Sequence, residues 1–315
     1  MFDAQTSLSN EMPSGHNGNI KVLAQQPTTN TFASGGEDGY INIYSLTSSG
    51  NQYSQSQITP ITQLTYHTNT ITSLAFSHPK NGEFFASASL NNDLIIYQKV
   101  SQSFEVLYTY NNESSYFTTM SFAPCEYGLI LICGSENGTL SIHEYNSTLK
   151  QWNSYEIPNA HSDKCITAIS FGCVLPEMDF QSGKVYDGVG SEMRFVTGGK
   201  DGVVRFWVRK DGVIQGLEWN IDVKESVVDV DWMNVVSYAN NTIVVLDEKG
   251  EVKLFKEDKE GNGLWECFAE FNCGECNAKV SFSEGGECVV VCGDKGIKVF
   301  KENEDLEWEE AELMR

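Results

Sequence analysis

Apolar and polar residues alternate in short runs along most of the chain, and a period of two means β-strand. The runs come in pairs around turn signals. FASGGEDGYINIY (32–44) and FVTGGKDGVVRFW (195–207) are nearly the same sentence. Four weaker copies share the grammar: FASASLNNDLIIY (85–97), ICGSENGTLSIH (132–143), VLDEKGEVKLF (245–255) and CVVVCGDKGIKVF (288–300). They close at Tyr44, Tyr97, His143, Trp207, Phe255 and Phe300, with gaps of 53, 46, 64, 48 and 45 residues. Asp38-Gly39, Asn137-Gly138 and Asp201-Gly202 supply the positive-φ residues that a hairpin turn wants. A further alternating strand precedes most copies, as in ITSLAFS (71–77), FTTMSFA (117–123), ITAISFG (166–172), VVDVDW (227–232) and AKVSFS (278–283). A fourth follows, often opening at an aromatic: Phe104, Trp152, Trp265, Trp308. Four strands per ~50 residues, six times, predict an all-β chain. The expected architecture is a single domain over residues 1–315, a six-bladed WD-repeat β-propeller.

The repeat is degenerate. No Trp-Asp dipeptide occurs, and the Gly-His mark appears once, at Gly15-His16. His67 and His161 hold the equivalent place in repeats two and four. These histidines are expected to anchor buried hydrogen bonds with a turn aspartate rather than to catalyse. Ring closure is the open question. Blade one finds its four strands within residues 20–65, and blade six takes its fourth from LEWEEAEL near the C-terminus. Residues 1–14 are polar and offer no spare strand to staple the two together. Packing alone can close six blades. The alternative is an open ring with two apolar faces, which implies a partner.

Charge narrows the partners. Lys and Arg number 21 against 43 Asp and Glu, a formal charge of −22. That balance argues against a nucleic-acid partner and against adhesion to anionic lipid. No run approaches the ~18 apolar residues of a membrane span, so no direct membrane insertion is expected. MFDAQTSLSN lacks the features of a secretory signal, and nine cysteines then read most simply as reduced thiols of the cytosol or nucleoplasm. Cys273 and Cys276 form a CxxC, with Cys288 and Cys292 twelve and sixteen residues after Cys276. Zinc binding and packing are the alternatives, and the strand context favours packing or loop thiols. No GxSxG, HExxH or GxxxxGK occurs. The chain is expected to be no enzyme, with no catalytic residue, cofactor or metal assigned.

Several stretches resemble one family. SFAPCEYGLILICGSENGTLSIHEY (121–145) looks like the third repeat of the Sec-thirteen family of six-bladed propellers, shared by the COPII outer coat and the nuclear pore scaffold. NAHSDKCITAISF (159–171) resembles the start of the fourth repeat. FSHPKNGEFFASASLNNDLIIY (76–97) resembles the second, with its His78-Pro79 pair and Gly82. The stretch from Leu175 to Glu192 sits where the family extends a loop in blade four. The paralogous Seh-one propeller fits the 127–138 segment less well. Blade five is short, with about ten residues between Trp232 and the strand at Ile243, and aromatic closing positions vary.

The resemblance implies a structural scaffold with an open propeller. A partner then donates a three-stranded blade between blades six and one. The implied partners are the large COPII outer-coat subunit, a WD-repeat plus α-solenoid protein, and nuclear pore α-solenoid proteins. The implied locations are the cytoplasmic side of the ER membrane, COPII vesicles and the nuclear pore complex. Candidate contacts for the donated blade are Phe32, Ile41, Ile43 and Tyr44 on blade one. On blade six they are Val280, Phe282, Val289, Val291, Ile297 and Val299. The other class in play is a closed WD-repeat adaptor, such as a ubiquitin-ligase substrate receptor.

Overall fold

The structure, a computed structural model, describes residues 15–47, 57–101, 103–172, 177–179, 184–186, 192–233, 241–258, 264–276, 278–283, 285–303 and 308–311. Its strands form six four-stranded antiparallel sheets. Blade one is β1 (Ile20–Gln25), β2 (Thr31–Gly36), β3 (Ile41–Thr47) and β4 (Gln57–Leu64). Blade two is β5 (Ile71–Phe76), β6 (Phe84–Ser89), β7 (Asp93–Val100) and β8 (Ser103–Asn111). Blade three is β9 (Phe117–Phe122), β10 (Ile130–Ser135), β11 (Leu140–Asn146) and β12 (Gln151–Ile157). Blade four starts with β13 (Ile166–Phe171). A separate hairpin follows, β14 (Glu177–Asp179) with β15 (Lys184–Tyr186), within the expected insertion. The blade resumes with β16 (Met193–Gly199), β17 (Val203–Lys210) and β18 (Val213–Asp222). Blade five is β19 (Val227–Trp232), β20 (Thr242–Asp247), β21 (Glu251–Glu257) and β22 (Trp265–Asn272). Blade six is β23 (Ala278–Phe282), β24 (Cys288–Gly293), β25 (Gly296–Glu302) and β26 (Trp308–Glu310).

Local chemistry explains these elements. The turn between the second and third strands needs a left-handed residue, and Gly39, Gly138 and Gly202 sit at φ +76°, +78° and +77°. At Gly138 the space is closed as well. An added Cβ would stand 2.8 Å from the Lys164 carbonyl oxygen. In blades one to five the innermost strand carries a bulge near its start, which turns out one residue: Lys21, Thr72, Thr118, Thr167 or Val228. Blade six keeps unbroken register from Ala278 opposite Gly293 to Phe282 opposite Val289.

The core is divided by the ring. Each pair of neighbouring blades closes on its own apolar cluster. Ile41, Ile43 and Ala33 of blade one meet Ile71, Leu74, Phe85 and Tyr97 of blade two. Ala86, Leu94 and Ile96 of blade two meet Phe117, Met120 and Leu131 of blade three. The same arrangement repeats between blades three and four, four and five, and five and six. Among the described residues no such cluster joins blade six to blade one. The innermost strands pack in the order β1, β5, β9, β13, β19, β23, and no comparable packing brings β23 back to β1.

Candidate interaction site

The first and last blades face one another across that sixth junction. In a strand, alternate residues look to opposite faces, and paired residues of antiparallel neighbours share a face. In blade one, Ala33, Ile41 and Ile43 look toward blade two. The other face carries Phe32 opposite Tyr44 and Ser34 opposite Asn42. Leu23 pairs with Ser34 and joins that face. In blade six, Val280, Val289, Val291 and Phe300 look toward blade five, with Phe282 packed against them. The other face carries Val290 opposite Val299 and Cys292 opposite Ile297.

Exposure separates this junction from the five filled ones. Ile297 is 58% exposed, whereas Ile41, Leu94, Leu140, Val204 and Val252, at the same repeat position, are 1% exposed or less. Leu23 is 66% exposed, against 4–7% for Leu74, Met120, Val230 and Val280 at its position, where Ile169 of blade four is partly buried. Val290 and Val299 are half-buried where the corresponding residues of the other blades are fully buried. An apolar side chain left in water at a position buried five times over marks an unfilled contact.

Four of the ten candidate contacts therefore flank the junction: Phe32, Tyr44, Ile297 and Val299. Phe32 and Tyr44 stack with ring centroids 5.1 Å apart. The remaining six lie on the opposite faces. Ile41 and Ile43 are buried against blade two, and Val280, Phe282, Val289 and Val291 against blade five. Both faces of these strands are apolar, so hydrophobicity did not separate them. Leu23, Val290 and Cys292 share these faces and were not among the candidates. Aligning blade six with Ala33, Gly35, Ile41 and Ile43 finds Val290 and Cys292.

The histidines behave as anchors. His161 Nδ1–H donates to Asp201 at 2.9 Å, and Nε2 lies 2.7 Å from the Thr197 hydroxyl, which accepts from the Trp207 indole at 2.9 Å. Burial pulls His161 below its ordinary value despite Asp201. Burial pushes the Asp201 carboxyl up, but bonds from His161 and Arg205 outweigh it and hold the carboxyl below its ordinary value. His16 repeats the pattern with Asp38 at 3.0 Å and Ser34 at 2.8 Å. His67 meets Ser87 at 2.6 Å, but its Nδ1 is buried without a partner because Asn91 stands where the aspartate would be.

The thiols do not assemble. Cys273 is buried with its Sγ 3.3 Å from the Glu275 carbonyl, while Cys276 and Cys292 are exposed. Among the described residues no three or more His, Cys, Asp or Glu side chains come together as a metal site. Near the axis, Lys21, Thr118, Thr167, Val228, Lys279 and Cys292 line a shared cavity of about 380 Å³. First and last blades thus open onto one channel.

The family described as WD domain, G-beta repeat matches residues 8–45 and 58–98. The Protein SEC13 homolog of Drosophila melanogaster is 26% identical over 306 residues, 96% of this chain and 83% of that protein. The Protein SEC13 homolog of Caenorhabditis briggsae is 26% identical over 287 residues, 89% of this chain and 86% of that protein. Protein transport protein sec13 of Aspergillus clavatus is 25% identical over 260 residues, 78% of this chain and 84% of that protein.

Proposed function

We propose that the chain is a Sec13-like WD-repeat propeller and serves as a scaffold subunit of a protein-transport coat. In this reading it takes a β-sheet segment from a partner chain into the junction between blades six and one. The assembly is the COPII outer coat, on the cytoplasmic side of the ER membrane and on its vesicles, with the nuclear pore scaffold as a second venue. The partners are the large outer-coat subunit and α-solenoid pore proteins. One observation carries the blade-accepting part: Ile297 is 58% exposed where its five counterparts are buried. Filling the junction would cover Leu23 and Ile297 together. A stable interface of this type buries about 1,000 Å² or more.

Mechanically, a propeller completed from outside becomes a rigid joint. The partner segment is held on both faces, so the two chains move as one body. The scaffold can then transmit bending forces without itself touching lipid. No reaction is required of it, and the Aspergillus clavatus relative carries the name of a transport protein.

The test is isolation of the tagged chain from its own cells with its stoichiometric partners. A large coat subunit at one-to-one ratio, or α-solenoid pore proteins, is the expected recovery and also assigns the venue. A ubiquitin-ligase core, or a monodisperse chain without a partner, would replace this reading with that of a closed adaptor.

A further inference from the structure

A second cavity, of about 480 Å³, lies at the ends of the innermost strands away from Lys21 and Lys279. Blades one to five wall it, and none of the residues facing the open junction lines it. One repeat position explains much of its floor. Opposite Ala33, Ala86, Ile132, Val196, Val244 and Val290 the innermost strands carry Ala24, Ala75, Ser121, Ser170, Asp231 and Ser281. Five of these six are small, and the sixth is an acid. Ser121, Ser170 and Asp231 line the cavity.

The acid carries more than the joint between blades requires. Ser170 accepts the Trp232 amide of blade five at 2.9 Å, and Asp231 accepts the Phe282 amide of blade six at 2.9 Å. A hydroxyl therefore suffices as the acceptor at this position, and the charge of Asp231 is surplus to the joint. Its other donors, the hydroxyls of Ser170 at 2.9 Å and Ser281 at 2.8 Å, are neutral. Lys279 is engaged by Asp229 at 3.0 Å. Among the described residues no cation pairs with Asp231, and no Lys or Arg lines the cavity. The three bonds fix the carboxylate in place, so its charge is presented without further ordering.

We infer that this cavity takes an arginine side chain from an extended segment of a partner protein, with the guanidinium on Asp231. The half-buried Phe122 gives the planar group and its stem an aromatic wall, and the Ser121 hydroxyl gives a further acceptor. A guanidinium matches a carboxylate with two parallel bonds, stacks on aromatic faces and is more weakly hydrated than an ammonium group. The formal charge of −22 draws basic segments toward the chain at long range. A free amino acid fits less well, because its α-carboxylate would meet no Lys or Arg in the walls. The cavity is separate from the open junction, so it can be occupied whatever that junction holds.

The experiment titrates the full, isotope-labelled chain with the blocked peptide acetyl-Gly-Arg-Gly-amide and follows backbone amides by NMR. Saturable shifts are expected at Ser121, Phe122, Ser170 and Asp231. The citrulline peptide keeps the shape and lacks the charge, and it should bind about tenfold more weakly. Equal affinity for the two peptides would overturn the inference, as would shifts that spread over the acidic surface without saturating. Tighter binding of free arginine than of the blocked peptide would overturn it in favour of a small-molecule site. D231S installs the residue that blade four uses at this position, and it should lose the preference for arginine over citrulline. A preference retained in D231S would overturn the inference. S121L narrows the cavity from blade three and leaves Asp231 with its three bonds, so it decides the matter if D231S fails to fold. It should abolish the saturable shifts while the thermal midpoint stays unchanged. Undiminished binding by S121L would mean that the arginine sits elsewhere.

Discussion

His67 is buried with one ring nitrogen bonded to Ser87 and the other facing no partner. Burial draws it down to about 4, against only a weak pull upward from Asp93. The folded chain thus takes up this proton later than the unfolded chain, whose histidine titrates near 6.5. The contribution to stability is complete above that value and declines as pH falls from about 6.5 toward 4. By linkage the loss approaches about 3 kcal/mol below the window. His143, drawn down to about 3 by burial alone, adds a loss of the same sign. Urea midpoints measured from pH 7.5 to 4 should fall, and H67N should flatten part of that fall. An unchanged slope in H67N would exclude His67 as a source. The repeats that keep their aspartate suggest a complementary change. Asn91 occupies the place of Asp38 and Asp201, so N91D should give the His67 Nδ1 an acceptor. Its titration, followed by NMR, should then move up from about 4. No movement would mean that the Asn91 backbone does not bring a carboxylate within reach.

At the scale of elements, the joints between blades are made by different chemistry in different places. The bulged threonines of the innermost strands bridge to the next blade. Thr72 donates to the Phe117 carbonyl, Thr118 to Ile166 and Thr167 to Val227. Blade five has Val228 there and cannot donate. Its replacement is a pair of aspartates on β19. Asp229 accepts from the Val280 amide at 2.9 Å and from Lys279 at 3.0 Å. Asp231 accepts from the Phe282 amide at 2.9 Å and the Ser281 hydroxyl at 2.8 Å. Asp231 also accepts from the Ser170 hydroxyl of blade four at 2.9 Å, so D231A should loosen blade six and, to a lesser degree, β13 of blade four. The expected cost is about 1–3 kcal/mol, the range for stranding such a donor. Hydrogen exchange should quicken in β23 and β24 and leave β9 to β11 unaffected. Uniform acceleration would mean that the blades do not respond separately. The strands and turns behind these joints were legible, because period two and Asp-Gly or Asn-Gly turns are local signals. The assignment of faces was not. Ile41 and Asn42 are adjacent, and which of them meets blade two is set by the ring. The presence of a following blade, not the residue's own hydrophobicity or its sheet pairing, makes Ile41 interior and leaves Ile297, at the same repeat position, exposed. The substitution of Thr72-type bridges by Asp229 and Asp231 was likewise invisible, since acids on a strand read as a wet face.

For the whole molecule, an interrupted ring changes how stability is distributed. A blade with two filled junctions is held on both faces, and blades two to five are in that position. Blades one and six each have a single apolar cluster among the described residues. Cooperative units with fewer buried contacts open at lower free energy. In the isolated chain, amides of β24, β25, β2 and β3 should therefore exchange faster than those of β10, β11, β16 and β17 in the middle of the array. On the proposed reading, a partner segment seated between blades six and one would bind the folded ring alone and stabilise it by mass action. The gain should concentrate at the two ends. Protection of β24, β25, β2 and β3 should rise toward that of the central blades on binding, while β10 and β16 change little. Equal protection in all six blades of the isolated chain would mean that the ends are already joined in solution, and Ile297 would then have to be covered by the chain itself.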